Sequence, residues 1–291
     1  MKKKAVGLII LLFIYLFAIA IGGLLFFLLK DYMHFFLAIL VADVTATIFV
    51  WATGLIVKTP SVYDPYWSLQ TFFIYLGLLI YFNNWNLFTV IPLVAIFLYS
   101  ARLTANFIIG FHDLSYVDWR YKMLREKSGK FFQFVNLFGI CMFPTLVVYA
   151  ASLPLFMYAS LPIEALSYLD FIGSGIILLG TLLELISDIQ MKKFIKIRES
   201  RNDVINVGLW RFSRHPNYLG EIIIWFGVAF ILIIHNYMFF YLIGGAIINL
   251  LMFLFISIPM EEKHMLEYKP NMVDYQKRTS MLLILPRRKT K

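Results

Sequence analysis

The feature that most limits what this chain can fold into is a series of long runs with almost no charged side chains. Ala5 to Leu29 carries none, and Tyr32 to Val57 carries only Asp43 among Asp, Glu, Lys and Arg. About 20 apolar residues let a helix cross the hydrocarbon layer, where every backbone polar group must find its partner inside the segment. Each run is expected to be a single transmembrane helix. Thr71 to Ala101 is also uncharged, but Asn83-Asn84-Trp85-Asn86 interrupts it and reads as an interfacial turn, giving two crossings of which the first is short. Phe131 to Tyr158 and Leu166 to Ile186 give one crossing each. Ile222 to Met260 is too long for one and divides at His235-Asn236-Tyr237. The expected fold class is all-α, a polytopic membrane helix bundle of about seven or eight transmembrane helices, with eight as the central count.

Composition supports this and excludes other classes. Hydrophobic residues make up 61% of the chain and charged residues 15%, against roughly 45–50% apolar in an average soluble domain. Cys141 is the only cysteine and sits in an apolar run, so neither a disulfide scaffold nor a Cys-rich metal centre is available, and no metal site is expected. The net charge is +9. With eight crossings, Lys2 to Lys4, Lys58, Arg120 to Lys130, Lys192 to Arg214 and Lys263 to Lys291 fall on one side and hold 24 of the 26 cations. Lys30 falls on the other side and Arg102 within a helix. Cytoplasmic loops carry this kind of excess, so both termini are expected in the cytoplasm. The first span, 25 residues after Met1-Lys-Lys-Lys, is too long for a secretory signal and lacks its small-residue cleavage site, so it reads as a retained anchor. The lipid bilayer is the first expected partner. No nucleic-acid partner is expected, and the sequence leaves oligomeric state open.

The ionisable residues that a membrane helix should avoid carry most of the functional information. Glu184 and Asp188 are four apart on one helical face, and Lys192 continues that face by a turn. A solvated helix end with an Asp188–Lys192 pair would explain them without function. Asp43 lies deeper, where protonation or Arg102 would neutralise it. The densest signal is Gly208-Leu-Trp-Arg-Phe-Ser-Arg-His-Pro-Asn-Tyr-Leu-Gly-Glu221. Pro216 suits the first turn of a helix, and the free backbone N–H groups there, with Arg211, Arg214 and His215 just upstream, suit a phosphate. A nucleotide is the obvious candidate. The plainer reading is a collar of Arg side chains meeting anionic headgroups, but Asn217 and Glu221 share a face, with Trp225 following, which points an amide, a carboxylate and an indole one way. After the last span, His264 and Tyr268 again stand four apart. Such a pair could stack on a cofactor ring and hydrogen-bond to it, although a lone interfacial histidine is more often only solvated.

Four segments in order, Ser61-Val-Tyr-Asp-Pro-Tyr-Trp-Ser68, Tyr99-Ser-Ala-Arg-Leu103, Asp118-Trp-Arg-Tyr121 and Arg214-His-Pro-Asn-Tyr-Leu-Gly-Glu221, resemble the membrane reductases grouped with steroid 5-alpha-reductase, especially their little-characterised bacterial relatives. The resemblance runs from about Asp43 to Pro286 and implies N-terminal transmembrane helices over residues 1–57 and a catalytic membrane domain over 58–291. It implies NADPH bound from the cytoplasmic side, a lipophilic enone entering from a bilayer that is expected to be a bacterial plasma membrane, and hydride transfer to the enone β-carbon. By the same resemblance Tyr99 is the donor to the substrate carbonyl, and Asp64, one methylene shorter, matches the family glutamate. Ser187, Asp188, Asn217, Glu221, His264 and Tyr268 match cofactor contacts, beside Arg211, Arg214, His215 and Tyr218 of the basic motif. Two positions depart from the pattern: Glu184 stands where the reductases have asparagine, and Met260 where they have arginine. Arg-His-Pro-x-Tyr is also similar to a motif of isoprenylcysteine carboxyl methyltransferases, which carry a C-terminal Glu-Glu pair like Glu261-Glu262. An S-adenosylmethionine-dependent methyltransferase is therefore the alternative. A non-enzymatic lipid-binding or transport protein is a third reading, and the lack of internal repeats gives it little support.

Overall fold

The computed structural model describes residues 2–162 and 167–288. Met1, Leu166 at the start of the sixth expected span, and Lys289 and Lys291 of the last basic segment lie outside them. The regular secondary structure of the described residues is all helical, with no strand beyond an isolated bridge between Ser213 and Ser280. Among the described residues, seven helical runs are long and apolar enough to cross a membrane. The short crossing expected before the Asn cluster is a helix of 17 residues. The chain divides into two compact units, Met1–Ser167 and Tyr168–Lys291.

The first unit contains α1 (Lys2–Leu29), α2 (Phe35–Ile56), α3 (Tyr66–Phe82), α4 (Leu87–Gly110), α5 (Trp119–Ser128), α6 (Phe132–Val135) and α7 (Phe143–Ala159). The sequence division at 57/58 falls where α2 ends, with Lys58 in a left-handed conformation at φ 61°. The polar turn between α3 and α4 forms because asparagine suits both of its jobs. Asn83 adopts φ 49°, a conformation that asparagine tolerates better than most residues. Asn86 then caps α4 by accepting from the backbone N–H groups of Phe88 and Thr89, while the Thr89 hydroxyl accepts from Asn86 N–H. Asn84 Nδ2 donates to the carbonyls of Ala159 and Leu161, at 3.0 and 2.8 Å, and so fastens the turn to the end of α7. A π-helical stretch, Asn136–Met142, joins α6 to α7. Leu11, Ile14, Ala18, Ala46, Val50 and Val62 form the centre of the apolar core.

The second unit contains α8 (Phe171–Ile197), α9 (Pro216–His235), α10 (Gly244–Met252), α11 (Ile258–Tyr268) and α12 (Met272–Arg278). Glycines bring α8 and α9 together. A Cβ on Gly180 would lie 2.7 Å from the Gly220 carbonyl oxygen, and one on Gly173 would lie 2.7 Å from that of Gly227. Lipid offers no hydrophobic drive for helices to associate, so close backbone approach through small residues is what the bilayer leaves available. Asn236 ends α9 and caps the following turn, accepting from Met238 N–H, as the His235-Asn236-Tyr237 break anticipates.

Candidate functional site

In the first unit, the Ser61-to-Ser68 segment enters the core as a single turn of 3-10 helix, Pro60–Tyr63. Thr59 caps it by accepting from Ser61 N–H, and Pro60 takes the first position, where its missing N–H costs nothing. Three side chains from this segment then find separate partners. The Tyr63 hydroxyl lies 2.8 Å from Thr145 Oγ1, which is 3.0 Å from Thr47 Oγ1. Tyr66 donates to Asp43 Oδ1 at 3.4 Å. Asp64 accepts from the hydroxyl of Tyr121, the last residue of the Asp118-Trp-Arg-Tyr segment. Asp118 caps α5 through Arg120 N–H and pairs with the Arg120 side chain at 2.8 Å.

Asp64 is half-buried, and burial pushes its carboxyl up to about 7, against the lowering effects of the Tyr121 hydrogen bond and the Arg120 charge. Its Oδ1 is the oxygen that accepts from Tyr121. An aspartate at the head of α3 has a short reach, and the phenol of α5 is within it. Tyr99 is wholly buried on α4, beside buried Ser100 and half-buried Arg102. For Asp43, the contacts are with neutral groups. Gln70 Nε2 donates to its Oδ2 at 2.5 Å and to the Thr145 carbonyl at 3.3 Å, so Arg102 is not what holds it.

In the second unit, α9 begins at Pro216 as its sequence implies. Arg214, just before it, makes two contacts with Glu262 of α11, Nε to Oε1 at 2.6 Å and Nη2 to Oε2 at 3.3 Å. Its Nη1 donates to the carbonyls of Gln276 and Thr279 at 2.9 and 2.8 Å. Four of the five guanidinium donors are therefore engaged within the protein. Buried His215 places Nε2 3.0 Å from the same Glu262 oxygen, and its ring stacks on Tyr218 with centroids 5.3 Å apart. Gln276 Nε2 donates to Glu262 Oε2 at 2.8 Å. Glu262, which sequence reasoning noted only as half of an acidic pair, is the hub that joins the start of α9 to α11 and α12.

The other expected cofactor residues fall into three groups. Asn217, Glu221 and Ser187 are turned inward. Glu221 is buried and accepts from Trp225 Nε1 at 2.8 Å; Ser187 is buried, with Trp210 Nε1 donating to its carbonyl at 3.0 Å. The side-chain oxygen of Asn217 is buried with no hydrogen-bond partner. Arg211 and Tyr268 are exposed and Asp188 is half-buried, while His264 stands with its ring 5.2 Å from that of Tyr268 and its Nδ1 3.3 Å from Glu267. Of the two readings open for Glu184, the structure excludes the solvated helix end. This glutamate is buried, and a Cβ on Gly220 would lie only 2.4 Å from its Cγ. Sequence could have signalled this, since Gly173 and Gly180 are seven apart, as are Gly220 and Gly227. Among the described residues, no group of three or more His, Cys, Asp or Glu could hold a metal ion.

A family described as a protein of unknown function (DUF1295) matches residues 50–279. The chain belongs to that family. An uncharacterized protein of the fission yeast Schizosaccharomyces pombe is 26% identical over an alignment of 200 residues, which covers 60% of this chain and 58% of that relative. The match thus spans a little over half the length of the yeast protein. No solved structure matches the chain.

Proposed function

We propose that this polytopic helical membrane protein is a reductase that uses NADPH, from the cytoplasmic side of a bacterial plasma membrane, to saturate the C=C bond of a lipophilic enone. The observation that carries the reading is the Asp64–Tyr121 contact, which brings two of the four reductase-like segments together. Tyr99, from a third segment, is wholly buried in the same unit. The second unit has features that fit a dinucleotide. Asn217 keeps a buried acceptor unpartnered, suited to an amide or hydroxyl donor, while exposed Arg211 and the basic stretch from Lys192 can meet phosphates. Arg214 and His215 act differently in this reading: held by Glu262, they position the start of α9. His264 and Tyr268 offer rings to a base.

When bound, NADPH would supply the hydride that goes to the β-carbon, and a solvent proton completes the α-carbon. The Tyr99 hydroxyl donates to the carbonyl oxygen, where negative charge develops. A donor fixed in a water-poor interior is worth about 3 kcal/mol there, so Tyr99→Phe should lower turnover of an accepted enone by about a hundredfold. Wild-type turnover in that variant would remove the role. The broader test is titration of the detergent-solubilised protein with NADPH and, separately, S-adenosylmethionine. The reductase reading expects the first to bind and the second not to bind. One observation favours the methyltransferase alternative, namely that the Arg214-His215 pair of the shared motif meets Glu262 of the acidic pair. Binding of S-adenosylmethionine alone would establish that alternative instead.

A further inference from the structure

In the second unit, the chain that leaves α12 runs back along the start of α9. Ser213 Oγ donates to the Leu282 carbonyl at 2.7 Å, Arg214 N–H to that of Ser280 at 2.9 Å, and Leu285 N–H to that of Phe212 at 3.2 Å. Leu282 is buried in a cluster with Ile222, Phe253 and Ile258, which anchors the segment. The side chains that follow are uncovered: Leu283, Ile284 and Leu285 are 56, 41 and 47% exposed, and Phe212 is exposed beside them. Apolar side chains exposed on spanning helices meet lipid tails, but these four lie outside every span. A single exposed leucine needs no explanation, whereas a group of neighbouring apolar side chains marks a surface that something covers.

Their depth follows from α9. Its 20 residues make a helix about 30 Å long, the thickness of the hydrocarbon layer, so Pro216 stands at one edge of that layer and Phe212, four residues earlier, at the level of the headgroups. Cations flank the apolar group. Arg287 and Arg288 follow Leu285 after Pro286, and Arg288 N–H donates to the Arg278 carbonyl at 2.9 Å, which brings Lys277 and Arg278 to the same end of the segment. Asp274 pairs with Arg278, and Glu262 is taken up by Arg214 and His215; among the described residues, no carboxylate pairs with Lys277, Arg287 or Arg288. We infer that this C-terminal segment is a membrane-surface anchor selective for anionic phospholipid, with Phe212 and Leu283 to Leu285 set in the outer part of the acyl layer and Arg287 and Arg288 meeting headgroup phosphates. Apolar side chains joined to uncompensated cations are the chemistry that such an interface recognises. A soluble protein partner fits less well, because lipid already occupies the level at which α9 begins. The contact also braces the start of α9, since the hydrogen bonds of the segment are made to residues 212–214.

The test uses the full chain in lipid nanodiscs, without NADPH, so its outcome is independent of the reductase reading. Discs of phosphatidylcholine alone are compared with discs that also contain phosphatidylglycerol, and hydrogen exchange of peptides covering residues 280–288 is followed by mass spectrometry. Exchange should be at least about fivefold slower in the anionic discs, the effect of one cation beside a charged surface. Arg288→Gln, at an exposed position, should remove about fivefold of that slowing while peptides of α8 exchange as in the parent. Depth is read separately. A nitroxide on Ile284→Cys, in a chain that also carries Cys141→Ala, should collide more readily with oxygen than with a water-soluble nickel chelate. Equal exchange in the two kinds of disc, an undiminished lipid preference in Arg288→Gln, or a nitroxide open to the chelate in anionic discs would each overturn the assignment.

Discussion

The two units solve the problem of polar groups in a membrane protein in different ways. In the first, buried polar side chains meet neutral partners: Asp43 takes an amide and a phenol, Asp64 takes a phenol, and Thr47, Thr145 and Tyr63 share hydroxyls. In the second, Arg214 and His215 close on one carboxylate within 3.0 Å. The contrast follows position along the helices. The ionic cluster stands at the start of α9 and on α11, where three partners share the charges; Asp43 stands in the middle of α2, where a full charge is most expensive. Helix contact differs as well, through glycines between α8 and α9, and through larger side chains such as Tyr15, Tyr63 and Tyr66 in the first unit.

Substitutions can break this contrast or sharpen it. The largest effect is expected from Gly220→Leu, since its Cβ would meet the Gly180 carbonyl oxygen at 2.7 Å and the Glu184 side chain at 2.4 Å. Overpacking against backbone should cost about 3 kcal/mol or more, read as loss of folded protein in a detergent melt; a variant that melts like the parent would refute close packing of α8 on α9. Next comes Glu262→Gln. It leaves Arg214 buried against a neutral amide and should destabilise the protein by about 2 kcal/mol at neutral pH, with a smaller deficit in acid, where the wild-type carboxylate is itself neutralised.

Asp64 makes a pH prediction in the first unit. Its carboxyl is raised by burial to about 7, so between the unfolded carboxylate range near pH 4 and about pH 7 the unfolded chain has released a proton that the folded chain still holds. Stability should therefore fall as pH rises through that window and level off above it. Asp64→Asn should flatten this slope, and Tyr121→Phe, which removes a hydrogen bond to the ionised form, should extend the decline to higher pH. Melting curves taken between pH 4 and 8 would show it; a wild-type profile that rises through that window would contradict the assignment. The smallest effect is expected from Gly77→Leu, within about 0.5 kcal/mol of the parent. The same Gly-to-Leu change thus spans the full range of outcomes, from Gly77, which faces open space, to Gly220, which faces backbone.

Particular residues show how far the chain could be read in advance. Asn83, Asn86, Pro216 and Asn236 mark real helix boundaries, because capping and proline geometry act over a few neighbouring residues. Charge-free runs find the spans for a similarly local reason, since each segment must satisfy its own backbone. The role of Glu262 was not legible, because its partners, Arg214 and His215, are 48 and 47 residues away. Glu184 stayed open between a solvated helix end and a functional face, because spacing to Asp188 reports a shared face and not what that face packs against.

Hydropathy and capping chemistry alone determined that this is a helical membrane protein and roughly where its helices begin and end, because those requirements are met within each segment. Which buried acid meets which donor was decided only in three dimensions. Asp64 meets Tyr121 of α5, and Asp43 meets Gln70 of α3. A polar side chain in an apolar interior takes the donor that packing brings within hydrogen-bond reach, and that reach depends on how helices distant in sequence are set against one another.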